Sequence, residues 1–364
     1  MDFFKDLEIN VPVIQAGMAG GISTPELVAA VTNAGALGTI GAGYMGATHL
    51  KQQIQRVKNL TDKPFAVNLF ATNLENFSAD IAGMQGFLNK FRVELGINSG
   101  DEIVKTNDYL QEKVYVIIQE KIPIVSTAFG VLSSVLIERL KQHNVTLIGM
   151  ATNLDEAKQL VEAGYDCIVA QGYEAGGHRG TFDVKMLPNG SDIGLSVLVQ
   201  TFKENLSVPI IAAGGIHTKA QVNGFLAMGA AGVQLGTRFL IAKEAGTNDA
   251  YRRALMKAKS GDTVITRAFS GRPARAVANR FIEEVEGSKI DTLPFPIQNE
   301  LTKDIRAAGK EFAIADLQSL WAGQGVGEIK SEETAGEIIK SLVDLGNGML
   351  GQSENNAPAQ LIDQ

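Results

Sequence analysis

Residues 208–237 read VPIIAAGGIHTKAQVNGFLAMGAAGVQLGT. An apolar run headed by Pro209 ends in Gly214-Gly215. A helical pattern follows, capped by Thr218 and carrying Val222, Phe225 and Leu226 on one face. A second apolar run then closes on Gly236-Thr237. Proline at the head of a strand forfeits no ladder bond. Runs that are apolar at every position belong to strands buried on both faces, as in parallel sheets. The segment is therefore a strand–helix–strand unit with a glycine turn after each strand.

The same unit recurs along the chain. Strands are expected near 12–16, 37–41, 65–70, 123–127, 145–150, 166–171, 209–213 and 232–236. Helices between them keep the 3.6 period, with Leu27, Ala30, Val31 and Ala34 on one face and Leu154, Ala157, Leu160 and Val161 on another. Gly35, Gly164 and Gly229 stand where helices end, because glycine adopts the left-handed closing conformation without Cβ strain. Eight such repeats predict an α/β fold, a (β/α)8 TIM barrel over residues 1–240. Alternation by itself also suits a doubly wound sheet. Residues 71–115 read as an insertion after the third strand and 241–330 as a helical appendage covering the barrel mouth. Residues 331–348 read as a closing barrel helix and 351–364 as a disordered tail.

Composition narrows the function. The chain has 364 residues, 45% hydrophobic and 20% charged, which supports a large core and excludes a disordered chain. A net charge of −7 with no basic run argues against nucleic acid or a membrane surface as partner. There is no apolar stretch of about 18 residues, and the start, MDFFKDLEIN, carries no basic and apolar leader. The expectation is a soluble cytoplasmic protein, a monomer or small homo-oligomer. Cys167 is the one cysteine, so no intrachain disulfide and no cysteine-based zinc site can form, and no metal is expected.

Barrel active sites lie at the C-terminal ends of the strands, with phosphate often held after the seventh and eighth. Gly214 and Gly215 stand after the seventh, and Gln234, Leu235, Gly236 and Thr237 end the eighth. Such turns present backbone N–H groups to an anion. Gln15, Asn68, Gln171 and Gln234 are uncharged amides at strand ends, able to donate to and accept from a heterocycle. Gly17, Met18 and Gly176 border them, in glycine-rich turns that let a flat cofactor approach closely. His178 follows a double glycine directly after the sixth strand and is the candidate acid, base or anion partner. His49 and His143 read as surface residues, while His217 is either a surface residue or a phosphate neighbour.

One motif competes. Gly41-Ala-Gly43-Tyr-Met-Gly46 matches the dinucleotide fingerprint. It falls on the second strand, however, and Asp62 precedes the next strand instead of ending it, so it is a poor ribose ligand. Cys167 sits inside an apolar strand and reads as a core residue, not a nucleophile.

At Gln15-Ala-Gly-Met18, Ala170-Gln-Gly-Tyr-Glu-Ala-Gly-Gly-His178, Ala212-Ala-Gly-Gly-Ile216 and Gln234-Leu-Gly-Thr237 the chain resembles the nitronate monooxygenases. Ala268-Phe-Ser-Gly271, Asn279-Arg-Phe-Ile-Glu283, Pro296-Ile-Gln-Asn-Glu-Leu-Thr302 and Trp321-Ala-Gly-Gln324 resemble the bacterial class I group. The resemblance implies an FMN-binding barrel that oxidises alkyl nitronates, such as propionate-3-nitronate, with O2 to a carbonyl compound and nitrite. It carries FMN contacts onto Asn68, Gln171, Gly176, Gly215 and Gln234 through Thr237, with Gln324 beside them, and makes His178 the active-site histidine. For class I it favours His178 as a hydrogen-bond donor to a preformed nitronate. Ala36 stands where the family has a glycine, which leaves the local backbone in question. Flavin-dependent enoyl-ACP reductases share the EAGGH loop and the barrel and would use NADPH. A non-catalytic phosphate-metabolite-binding barrel is the more distant reading.

Overall fold

In the computed structural model, which describes residues 3–343 apart from 73, 75–79, 102, 105 and 108, the chain forms eleven described strands. In chain order they are β1 (Val13–Gln15), β2 (Thr39–Gly41), β3 (Ala66–Phe70), β4 (Ile124–Ala128), β5 (Thr146–Ala151), β6 (Cys167–Gln171), β7 (Gly177–His178), β8 (Ile210–Ala213), β9 (Gly232–Leu235), β10 (Thr263–Thr266) and β11 (Ala274–Val277).

Eight of them make one parallel sheet in the order β1-β9-β8-β6-β5-β4-β3-β2. A bridge between Ile14 and Leu37 closes it, with Gln15 N–H donating to the Leu37 carbonyl and Leu37 N–H to that of Val13, both at 2.9 Å. The expected (β/α)8 barrel is present, and β8 and β9 are its seventh and eighth strands. The doubly wound alternative falls with the closure.

Strand parity divides each strand between two cores. Ile14, Ala66, Ile124, Cys167, Val169 and Ile211 fill the barrel interior. Val13, Val67, Val125, Ile168 and Val233 face outward against the helices. Cys167 is a buried interior residue, and burial pushes its thiol far above the usual range. Helix Ala335–Leu342 packs between helices Pro25–Asn33 and Lys219–Ala227, completing the outer ring. The end of the expected closing helix, 344–348, and the 351–364 tail lie outside the described residues.

Two expectations need correction. Within 71–115, the outer helix between β3 and β4 begins at Leu110, so only the residues before it are extra to the barrel. Its neighbour Ala82–Leu95 buries Met84, Leu88 and Phe91 in a second core, shared with Phe269, Phe281, Ile305 and Leu317. Beyond residue 240 the chain is not purely helical. β10 and β11 pair antiparallel, and β7 joins β11 at His178 and Ala274. Arg275 sits inside β11, a place where a charge usually argues against a strand. It is satisfied there by the Tyr173 carbonyl at 3.0 Å and the Thr263 hydroxyl at 3.2 Å.

Candidate active site

The small sheet places His178 over the C-terminal ends of the barrel strands. Below it lies a cavity of about 470 Å³. Most of the sequence-selected residues line it: Gly17, Met18, Asn68, Gln171, Gly176, His178, Gly214, Gly215, Gln234, Leu235, Gly236 and Thr237. Asn68, Gln171 and Gln234 share the inward parity of Ala66, Val169 and Ile211, so their amides rise from the barrel interior.

Gln15 and Gln324 do not line it. Gln15 shares the outward parity of Val13. Its amide donates to Ser23 Oγ at 2.9 Å and accepts from Thr39 N–H at 3.0 Å, tying β1 to β2 and to the following loop. Gln324 works through its backbone, donating to the Glu174 carbonyl at 2.9 Å, and it is Gly325 that reaches the cavity.

At the ends of β8 and β9 the backbone turns on glycine beside the cavity. Gly214 and Gly215 take φ of +133° and +66°, conformations that L side chains adopt only with strain. Among the described residues, the N–H groups of Gly214, Gly215, Gly236 and Thr237 find no acceptor. Unpaired N–H groups beside a cavity are costly unless an anion or water takes them. Gln221 holds the first turn, donating to the Gly215 carbonyl at 3.1 Å while accepting from His217 and Thr218 N–H at 2.9 and 3.0 Å. His217 is buried and lines the cavity beside this turn, whereas His49 and His143 are exposed.

Glu174 anchors the loop before His178. Its carboxylate caps Leu195 N–H at 3.0 Å, and Gly176 packs on the backbone of Ala322 and Gly323 where a Cβ could not fit. The competing glycines of 41–46 have packing roles too. A Cβ at Gly41 would strike the Met18 backbone, and one at Gly43 the Phe70 ring. Ala36 keeps a negative φ while Gly35 takes +89°, so alanine fits where the family has glycine.

The aromatic wall around His178 was not foreseen. The Trp321, Phe129 and Phe295 rings lie 5.2, 5.8 and 6.0 Å from the imidazole, and Phe70 and Tyr44 continue the wall. Arg272 stacks on Phe129 at 3.9 Å. Phe129 itself has φ of +78°, rare for a bulky residue and typical of strain kept at functional sites. These residues are far apart in sequence, so no periodicity marks them. His178 Nε2 lies 2.9 Å from Ser270 Oγ.

Burial, then the charges of Arg272 and Arg306, holds the His178 imidazole down to about 3. Burial and then Arg238 hold His217 down to about 4. Both rings are neutral at physiological pH. An unfolded histidine titrates near 6.5. The folded state therefore binds fewer protons below that pH, and stability falls as pH drops from about 6.5 toward 3. In urea unfolding at pH 7 and pH 4.5, His178→Asn is expected to lose less stability across that interval than the wild type. An identical loss would show that His178 protonates freely in the folded protein.

A sequence model of the nitronate monooxygenase family matches residues 2–344. A probable nitronate monooxygenase of Staphylococcus aureus strain MSSA476 is 40% identical over 347 residues, covering 94% of this chain and 96% of that protein. The crystal structure of a nitroalkane oxidase from Streptomyces ansochromogenes superposes with a TM-score of 0.86 at 36% identity, covering 93% and 96% of the two chains. FabK from Thermotoga maritima superposes at 0.74 with 27% identity, covering 94% of each.

Proposed function

The chain belongs to the nitronate monooxygenase family, and we propose that it uses FMN and O2 to convert alkyl nitronates to a carbonyl compound and nitrite. One observation carries this reading. The cavity joins an N–H cradle to a neutral histidine, and among the described residues its only formally charged lining residues are Lys303, Arg306 and Lys310. In a chain of net charge −7, an acid-free cavity edged by cations suits anionic ligands.

Gly214, Gly215, Gly236 and Thr237 would hold the FMN phosphate, and Gly17, Met18, Asn68, Gln171, Gly176 and Gln234 would meet its ring system. When bound, FMN supplies the electron acceptor and the reactivity toward O2. The chain's own part is to orient the nitronate beneath the wall of Phe70, Phe129, Phe295 and Trp321, to exclude water there, and to present a neutral imidazole. A pKa of about 3 makes His178 a weak base toward a neutral nitroalkane, which supports a preformed nitronate as substrate.

The test is nitrite and carbonyl release from an alkyl nitronate under air without added NAD(P)H. Rapid NADPH oxidation coupled to enoyl-thioester reduction, with no nitrite formed, would move the protein to the reductase reading.

A further inference from the structure

We propose that Arg272 is a positioning residue for the reaction: from outside the cavity, through the ring of Phe129, it makes the aromatic wall beside His178 accept an anion. The proposal rests on the nitronate reading and concerns the reacting end of the substrate. The wall poses an electrostatic problem there. Aromatic rings carry negative faces and positive edges. Several rings around one space favour a cation, as in the aromatic cages that bind quaternary ammonium groups. An anion beside Phe70, Phe129, Phe295 and Trp321 therefore needs a fixed positive charge close to the rings.

Arg272 supplies that charge. Its guanidinium carbon lies 3.9 Å from the centre of the Phe129 ring. That ring in turn lies 4.6 Å from Phe70, 5.8 Å from His178 and 6.0 Å from Phe295. Phe129 lines the cavity, whereas Arg272 is buried behind it. Among the described residues, no carboxylate lies within ion-pair distance of the guanidinium. Glu156, the carboxylate whose charge it feels, spends its oxygens on Thr152 N–H at 2.7 Å and Phe182 N–H at 2.9 Å. Burial, opposed by Glu156, brings Arg272 down to about 10, which leaves it charged at physiological pH.

Carbonyls hold the guanidinium instead. Nη2 donates to the Thr181 carbonyl and Nε to that of Arg179 at 3.4 Å, both just beyond His178 in the chain. The Arg272 backbone N–H donates to Ser270 Oγ at 3.2 Å, the same oxygen that lies 2.9 Å from His178 Nε2. One residue thus ties the strained Phe129 to the segment that carries His178. Its charge reaches the reacting end as well. After burial, Arg272 is the largest influence holding the imidazole down, ahead of Arg306. A field that opposes a proton on His178 attracts an anion to the same place, and it is little screened in a buried setting.

Trp321 is the chain's one tryptophan and lines the cavity, so its emission reports occupancy independently of turnover. The experiment titrates the flavin-loaded enzyme with propanoate and with its neutral isostere propanamide, neither of which reacts. The wild type should bind propanoate more tightly. Arg272→Gln removes the charge but can still donate to the Thr181 carbonyl. It should cut propanoate affinity by about 3- to 30-fold and leave propanamide binding unchanged. Its kcat/KM on ethyl nitronate should fall by a similar factor. Arg272→Lys keeps the charge and should keep most of the preference. Equal binding of the two ligands by the wild type overturns the proposal, as does full propanoate preference in Arg272→Gln. So does an equal loss for both ligands, or the same loss in Arg272→Lys as in Arg272→Gln, since either marks a merely structural role. A loss confined to propanoate in Arg272→Gln, with no nitrite formed from the nitronate by the wild type, would uphold the anion-accepting wall and overturn the nitronate reading.

Discussion

Gly215→Asp is expected to lose its flavin while keeping its fold. The position has φ of +66°, and a Cβ there would come within 3.1 Å of the Glu174 Cβ. A left-handed residue other than glycine costs about 1–2 kcal/mol, with aspartate among the more tolerant. That strain is small beside the charge effect. The new carboxylate would stand next to Glu174, at the N–H groups assigned to phosphate, and apposed like charges cost several kcal/mol. Flavin affinity should fall by about 10³ or more. Gly215→Ala carries the strain without the charge and should retain most of its flavin. Flavin absorbance per mole of purified protein, with circular dichroism to confirm folding, checks both. A full flavin complement in Gly215→Asp would place the phosphate elsewhere.

The barrel was legible because its strands announce themselves. Apolar runs headed by Pro12, Pro64, Pro123 and Pro209 can be little else, and each is followed by a helical period. Glycine turns after β8 and β9 were legible for the same local reason. What escaped depends on direction or distance. Gln15 looked equivalent to Asn68, Gln171 and Gln234, since all four are amides at strand ends. Strand parity sends three into the barrel and Gln15 away from it, and a three-residue strand gives too few positions to read parity from sequence. The β10–β11 pair escaped because Arg275 breaks its apolar pattern, and only the fold supplies the carbonyls that satisfy it. Phe70, Phe129, Phe295 and Trp321 meet only after the chain folds, so the wall that shapes the pocket leaves no local signature.

The loss of the His178 side chain is expected to have the largest effect on catalysis. Ser270 Oγ lies 2.9 Å from His178 Nε2 and can donate to the Arg272 carbonyl at 3.1 Å. Its single proton can go to either partner. When it goes to Arg272, Nε2 must donate to Ser270, and Nδ1 is left as a lone pair. When it goes to Nε2, Nδ1 carries the proton. A bound anion favours the second arrangement, because Nδ1–H can then donate to it while the ring stays neutral. One well-placed donor of this kind is worth about 2.7–4 kcal/mol, or roughly 10²–10³ in rate. His178→Ala should therefore lose that factor in kcat/KM on a preformed nitronate. His178→Asn keeps a donor of similar reach and should retain much of the activity. The low pKa adds a second expectation: between pH 5 and 8, no change in wild-type rate should trace to His178 titration, because the ring is already neutral throughout that range. If His178 were a base, Ala and Asn would fail alike on neutral nitroalkanes and both would be spared on nitronates. Equal loss in both variants on preformed nitronates would rule out donation by the side chain, and wild-type turnover in His178→Ala would remove the residue from the chemistry.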